Sequence, residues 1–389
     1  MSEWEEIKLG LVAEIQTGPF GSQLHQKDYV PVGTPLITVK NLGDNKVTYN
    51  KLDFVSDEDK ERLSKFILKE GDIVFSRVGY VDRRAFITNN ECGWMFSGST
   101  LRIRVKKAST LDSKYLSYYF GQKNIKEEII NLSVGATRPS LNTQLLEELD
   151  IIIPPFPEQK AIALVLSSLD DKIDLLHRQN KTLEAMAKTL FRQWFMEKAQ
   201  EDWEDGKIPD EFDYEMGTSP PGESYNKTGA GIPMFQGNAE FEFRFPKKRL
   251  FTTDPKKFAE KHDTLISVRA PVGAQNMANE KCCIGRGVAA FRYKSNNDYY
   301  TYTYFKMKSL MEEIKQFNDT GTVFGSMSKG DFEAFDILLP PVDLVNRFQI
   351  EVKPIDDKVI SNTNQIRTLE KLRDTLLPKL MSCEVRVKI

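Results

Sequence analysis

The chain states one pattern twice. Asp150 to Phe156 reads Asp-Ile-Ile-Ile-Pro-Pro-Phe, and 186 residues later Asp336 to Val342 reads Asp-Ile-Leu-Leu-Pro-Pro-Val. The displacement then holds without a gap, through Asp170-Asp171-Lys172 and Asp356-Asp357-Lys358, Gln179 and Gln365, and Leu183-Glu184 and Leu369-Glu370. Upstream, Gly135 and Ser140 return as Gly321 and Ser326. Solenoid and propeller units repeat at roughly 20 to 50 residues, so a period this long describes a domain with an appended helix. The chain is a tandem duplication, and its halves are expected to be related by a pseudo-twofold axis.

A long helical pattern follows each Pro-Pro. Ile162, Leu166, Leu169, Ile173, Leu176, Asn180, Leu183, Ala187, Leu190 and Trp194 alternate four-three spacings, a heptad seam. Displaced by 186, the seam of the second helix is Phe348, Val352, Ile355, Val359, Asn362, Ile366, Leu369, Arg373, Leu376 and Leu380. At ~1.5 Å per residue each helix is ~50 Å long. A narrow apolar seam on each predicts that the two pair, antiparallel because a globular unit intervenes. The register that sets Asn180 against Asn362 also sets Leu176 against Ile366 and Leu183 against Val359. It gathers both seam asparagines in one layer, where they are expected to hydrogen-bond each other and fix the register. Pro354 and Pro378 predict a kink or break, because proline removes a backbone hydrogen bond.

The residues before each helix mix β-rich runs with turns. Pro35 to Val39, Asp72 to Ser76 and Leu101 to Val105 read as strands, and Ser113 to Ile130 as a helix. The second unit repeats this outline with gaps: Gly231-Ile232-Pro233-Met234 is similar to Gly33-Thr34-Pro35-Leu36, and Asp263 to Ser267 to Asp72 to Ser76. The expected division is a first domain over 1–152, a first helix over 153–199 and an acidic linker over 200–213. A second domain over 214–338, a second helix over 339–382 and a tail over 383–389 follow.

Several functions find no support. The longest apolar runs are far short of the roughly 20 residues that cross a bilayer, and the acidic start lacks the features of a secretory signal. A cytoplasmic protein is expected, with Cys92, Cys282, Cys283 and Cys383 reduced. Those cysteines and the three histidines lack metal-ligand spacing, and no phosphate loop or catalytic triad can be assembled. Ile153-Pro154-Pro155-Phe156 imitates an adenine-methyltransferase motif without its asparagine. Glu351-Val352-Lys353 imitates a nuclease element, but Val352 belongs to the helical seam. A net charge of −2 excludes a general basic coat, so any DNA contact must be local.

The tandem pattern of a variable unit, then Ile153-Pro154-Pro155-Phe156-Pro157-Glu158-Gln159-Lys160, then a long helix, resembles the specificity subunit of type I restriction-modification systems. Gly71-Asp72-Ile73-Val74, the run Gly217 to Asn226 and the closing Leu376-Leu377-Pro378-Lys379-Leu380 add to the resemblance, which covers nearly the whole chain. Asp343-Leu344-Val345 stands where the first helix has Pro157-Glu158-Gln159, a departure at the start of the second helix. The resemblance implies an α/β (α+β) tandem duplication: two target recognition domains joined by two long helices forming an antiparallel coiled coil. It implies a noncatalytic subunit that reads a bipartite asymmetric DNA site, one domain per half-site, and docks two methyltransferase subunits on its helices. Restriction subunits would join them. No cofactor is expected on this chain, with S-adenosylmethionine and ATP on the partners.

Base edges are read by arginine, lysine, asparagine or glutamine on exposed loops, while other basic groups hold phosphates. Half-sites about a helical turn apart, ~34 Å, suit two modules held by rods of this length. The candidate contacts are Arg77, Arg83, Arg84, Arg138 and Ser140 in the first unit, with the loop Gly135 to Ser140 preferred. In the second they are Lys247, Lys248, Arg249, Arg269, Arg286 and Ser326. Phe20, Tyr80, Phe235 and Phe324 are expected to pack in cores rather than stack on DNA. A coiled-coil scaffold carrying two protein-binding domains is the alternative function; it predicts no sequence-selective DNA affinity. An independent nuclease is a third, and would need Glu351 and Lys353 for cleavage.

Overall fold

A computed structural model of the chain describes residues 4–133, 139–197, 203–319 and 325–387. The chain divides into two units, Met1–Lys172 with Leu369–Ile389, and Ile173–Thr368. Each is a mixed α/β assembly, and the two follow one plan.

In the first unit, Ile73–Ser76 is flanked by Thr100–Val105 and Arg84–Phe86 in a five-stranded sheet, completed by Ala13–Thr17 and Asp44–Asn45. A second sheet joins Asp53–Val55, Thr34–Ile37 and Met95–Phe96. Successive strand residues face opposite sides, and both faces are buried. Ile73 and Phe75 enter a core with the helix residues Tyr115, Leu116 and Phe120, while Val74 packs with Leu36 and Phe96 beneath the second sheet. The second unit repeats this. Ile266 joins Phe291, Tyr302 and Phe305, and its neighbour Leu265 joins Phe235 and Ile284.

The expected helix over 113–130 is two helices, Ser113–Tyr119 and Lys123–Leu132. Gly121 sits in the break, where an added Cβ would lie 2.6 Å from an Arg84 amino group. In the second unit the corresponding helix, Tyr300–Asp319, is unbroken.

The expected linker is not one over its described part. Glu204–Lys207 pairs antiparallel with Asp336–Leu339, and Phe212–Met216 is already an edge strand of the main sheet of the second unit. The strand entering the second helix would otherwise expose unpaired backbone groups. Glu5–Lys8 does the same for Asp150–Ile153 in the first unit. The second repeat therefore begins at Trp203-Glu204, matching Trp4-Glu5.

The long helices run over Phe156–Arg192 and Val342–Met381. Every expected seam position is buried or half-buried. Within the second unit the antiparallel register is the one anticipated, but the asparagines bond neighbours rather than each other. Asn180 Nδ2 donates to Thr363 Oγ1 at 3.2 Å, and Asn362 Nδ2 to Gln179 Oε1 at 3.4 Å. Within the first unit, Arg373 donates to Asp170 Oδ1 at 2.8 Å in the same register. Neither proline interrupts the second helix. Pro354 and Pro378 are exposed, as are Ile350 and Asp374, whose carbonyls they leave without a helical donor and which water can satisfy.

Asn180 is 1% exposed and its Oδ1 has no hydrogen-bond partner among the described residues. An unsatisfied buried acceptor carries a desolvation cost. Asn180→Leu is therefore expected to raise stability by about 1 kcal/mol, read as a higher urea midpoint for the full chain. A lower midpoint would mean that the asparagine stabilises the pairing.

The helices also leave large apolar side chains bare. In the first unit these include Phe156, Leu164 and Leu372, at 38%, 69% and 44% exposure. In the second they include Val342, Ile350 and Met186, at 55%, 67% and 49%. Each member of the first set stands 186 residues from a member of the second.

Candidate nucleic-acid interface

In the first unit, the turn Gly18-Pro19-Phe20-Gly21, the strand end Arg77-Val78 and the Ser97-Gly98-Ser99 turn enclose a cleft of ≈ 460 Å³. Tyr29, Thr38 and Ser140 complete its lining. Gly18 is required there: an added Cβ would lie 2.2 Å from the Ser97 carbonyl oxygen. The Arg77 amide donates to the Ser99 carbonyl and its own carbonyl accepts from Leu141, both at 2.9 Å. Val78 bridges Ser140. Arg77 Nε donates to the Gly98 carbonyl at 2.8 Å, and the guanidinium lies 5.8 Å from the Phe20 ring centre.

The backbone of this cleft recurs in the second unit. Gly217 donates to the Val288 carbonyl as Gly18 does to that of Thr100, and a Cβ on Gly217 would lie 2.2 Å from the Gly285 oxygen. Val268 donates to Gly287 as Arg77 does to Ser99, and Met327 to Val268 as Leu141 to Arg77. Arg269 bridges Ser326 as Val78 bridges Ser140, and the hydroxyls of Ser76 and Ser267 donate to the carbonyls of Val78 and Arg269. By these bonds, Arg77-Val78 corresponds to Val268-Arg269, and Gly98 to Arg286.

The candidate contacts separate accordingly. Arg77 and Ser140 share the first cleft, and Arg269, Arg286 and Ser326 take equivalent places in the second unit, all three exposed. Arg83 is exposed and lies 4.5 Å from the Tyr80 ring centre, on the loop that Gly79 anchors to the Pro139 carbonyl. Lys247, Lys248 and Arg249 are exposed on a loop of their own. Lys247 pairs with Glu242 at 3.7 Å and Lys248 with Glu280, while Arg249 has no side-chain partner among the described residues. Arg138 and most of the Gly135 to Ser140 loop lie outside the described residues, as does Phe324.

Arg84 is not a DNA contact. It is 3% exposed, donates through Nε to the Ser117 carbonyl at 2.7 Å and pairs with Asp44 at 3.4 Å. Burial pulls its pKa down, and Asp44 pulls it up. Arg83 ends the loop and stays exposed, whereas Arg84 opens the strand Arg84–Phe86 and is buried with it. Two aromatics reverse expectation instead, since Phe20 and Tyr80 are 59% and 67% exposed. Sequence reasoning also missed Thr38, Ser97 and Ser99, which line the first cleft. The Gly-Pro-Phe-Gly turn directly after the strand Ala13–Thr17 was the available signal.

Among the described residues no group of three His, Cys, Asp or Glu side chains could hold a metal. Lys353 pairs with Asp357 at 2.6 Å, one turn along its helix, and Val352 is buried in the seam. No helix among the described residues is long and apolar enough to cross a membrane.

The profile of the type I restriction modification DNA specificity domain matches residues 1–185 and 200–369. The chain belongs to this family. The putative type I restriction enzyme MjaX specificity subunit of Methanocaldococcus jannaschii is 32% identical over 408 residues, covering 99% of this chain and 94% of that protein. The MjaIX specificity subunit of the same organism is 26% identical, again over 99% of this chain and 94% of the relative. The HindI specificity subunit of Haemophilus influenzae is 23% identical over 99% of this chain and all of its own length. Among solved structures, the type I restriction-modification S subunit from M. genitalium shares the fold, with a TM-score of 0.66 at 18% identity over 100% of this chain and 97% of the other. Sequence-specific DNA recognition by a noncatalytic specificity subunit is thus the function, and the scaffold alternative falls away. The two matched ranges are the family's duplicated domain as this chain builds it.

Proposed function

We propose that each globular domain reads one half of a bipartite asymmetric DNA site, with its cleft and the basic loops around it on the duplex. The observation that carries this reading is the backbone frame around the first cleft, repeated in the second unit with different side chains. A repeated frame bearing two chemistries suits two unlike half-sites. The helices fix the spacing and dock two methyltransferase subunits. In support, the exposed apolar sets Phe156, Leu164, Leu372 and Val342, Ile350, Met186 give each unit an equivalent patch. S-adenosylmethionine is bound by those partners, ATP by restriction subunits that join them, and the complex works in the cytoplasm. Arg83, Lys247, Lys248 and Arg249 suit phosphates, where charge is needed without base information.

The test is single-molecule mapping of N6-methyladenine in cells expressing this chain with its methyltransferase. A bipartite motif is expected that vanishes when the chain is deleted and changes in one half only when one domain is replaced. Methylation unaffected by deletion would sink the reading.

A further inference from the structure

We propose that Arg77 reads a guanine in the half-site bound by the first unit, and that moving the arginine by one residue in the second unit makes the two clefts read different bases. This rests on the half-site reading above and assigns a base to a side chain within it.

Arg77 is held as a base reader should be. Its backbone is bonded on both sides, its Nε is tied to Gly98, and its guanidinium lies beside Phe20. The two terminal amino groups have no partner among the described residues, and Arg77 belongs to the cleft lining. What remains is a half-buried planar fork in a cleft that Thr38, Ser99 and Ser140 also line. Guanine offers O6 and N7 as paired acceptors in the major groove, which such a fork engages bidentately. A phosphate needs only positive charge, and the exposed Arg83 supplies that nearby.

The second unit rearranges the same parts. Val268 occupies the place of Arg77 and is 2% exposed. Arg269 takes the place of Val78 and Arg286 that of Gly98, both exposed and without side-chain partners among the described residues. The cation thus starts one residue further along the shared backbone, at the position that bridges Ser326 as Val78 bridges Ser140.

A binding selection from a randomised DNA library, with the full chain in complex with its methyltransferase, tests this. In the wild type a guanine is expected at one position of one half-site. In Arg77→Gln its preference falls at least about 10-fold while the other half-site is untouched. Arg77→Lys, which keeps the charge but loses the fork, relaxes the same position. The proposal is overturned by an unchanged motif with uniformly weaker, less salt-dependent binding, which marks a phosphate contact. It is overturned equally by loss of the whole first half-site in both variants, or by a wild-type half-site without guanine. A wild type that selects no bipartite sequence would instead refute the half-site reading itself.

Discussion

Asp356→Ala is expected to destabilise the second unit by about 3–5 kcal/mol, the usual result of stranding one member of a buried ion pair. Arg244 and Asp356 approach to 2.9 Å with side chains 0% exposed. The Tyr304 ring lies 3.8 Å from the guanidinium, and the Thr301 hydroxyl donates to the carboxylate at 3.1 Å. None of the three guanidinium nitrogens makes an aligned hydrogen bond, so the facing carboxylate is what compensates the charge. The duplicate position provides a control. Asp170 stands 186 residues earlier and pairs with Arg373 at 2.8 Å, but those side chains keep 27% and 26% of their exposure. Solvent screens that pair, so Asp170→Ala should cost clearly less. Urea unfolding of the full chain, followed by hydrogen exchange within each unit, measures both. Equal losses would show that burial does not govern the difference.

Phe348→Ala is expected to cost a comparable ~3–5 kcal/mol, combining lost transfer energy with a cavity. The ring is fully buried, with centroids 5.7 Å from Phe191, 5.9 Å from Trp194, 5.1 Å from Phe195 and 6.3 Å from Tyr302. It joins both long helices to the second domain. Hydrogen exchange should quicken across 173–368 while the sheet of the first unit keeps its protection, and recognition of one half-site should weaken. A loss below about 1 kcal/mol would mean that Phe191 and Phe195 close over the gap.

The parts of this architecture legible in the sequence are those fixed by periodicity. A heptad seam and a constant 186-residue offset sufficed to set Asn180 and Asn362 in one layer, because register in a paired helix follows from spacing alone. They did not reveal that each asparagine bonds a neighbour, which depends on rotamers. The start of the second repeat was hidden because Glu204 to Lys207 is polar and carries a glycine. Such a strand is defined by the backbone of Asp336–Leu339 beside it rather than by its own composition. Arginines were the least legible. Arg83 and Arg84 are adjacent and chemically identical, yet the loop exposes one and the strand that follows buries the other. The pairing of Arg77-Val78 with Val268-Arg269 continues the alignment of Asp72 to Ser76 with Asp263 to Ser267, but only the shared hydrogen bonds tie Arg286 to the place of Gly98.

The bare apolar residues on the helices bear on how much of this subunit a cell can keep. If these residues dock methyltransferase as proposed, a copy without it presents Leu164 and Ile350 at 69% and 67% exposure, the kind of surface that chaperones hold and proteases clear. Surplus copies would then be short-lived, and the supply of methyltransferase would cap the stock of specificity. Two such chains with different targets in one cell would compete for that supply, so raising the dose of one would silence the other without any change in its DNA affinity.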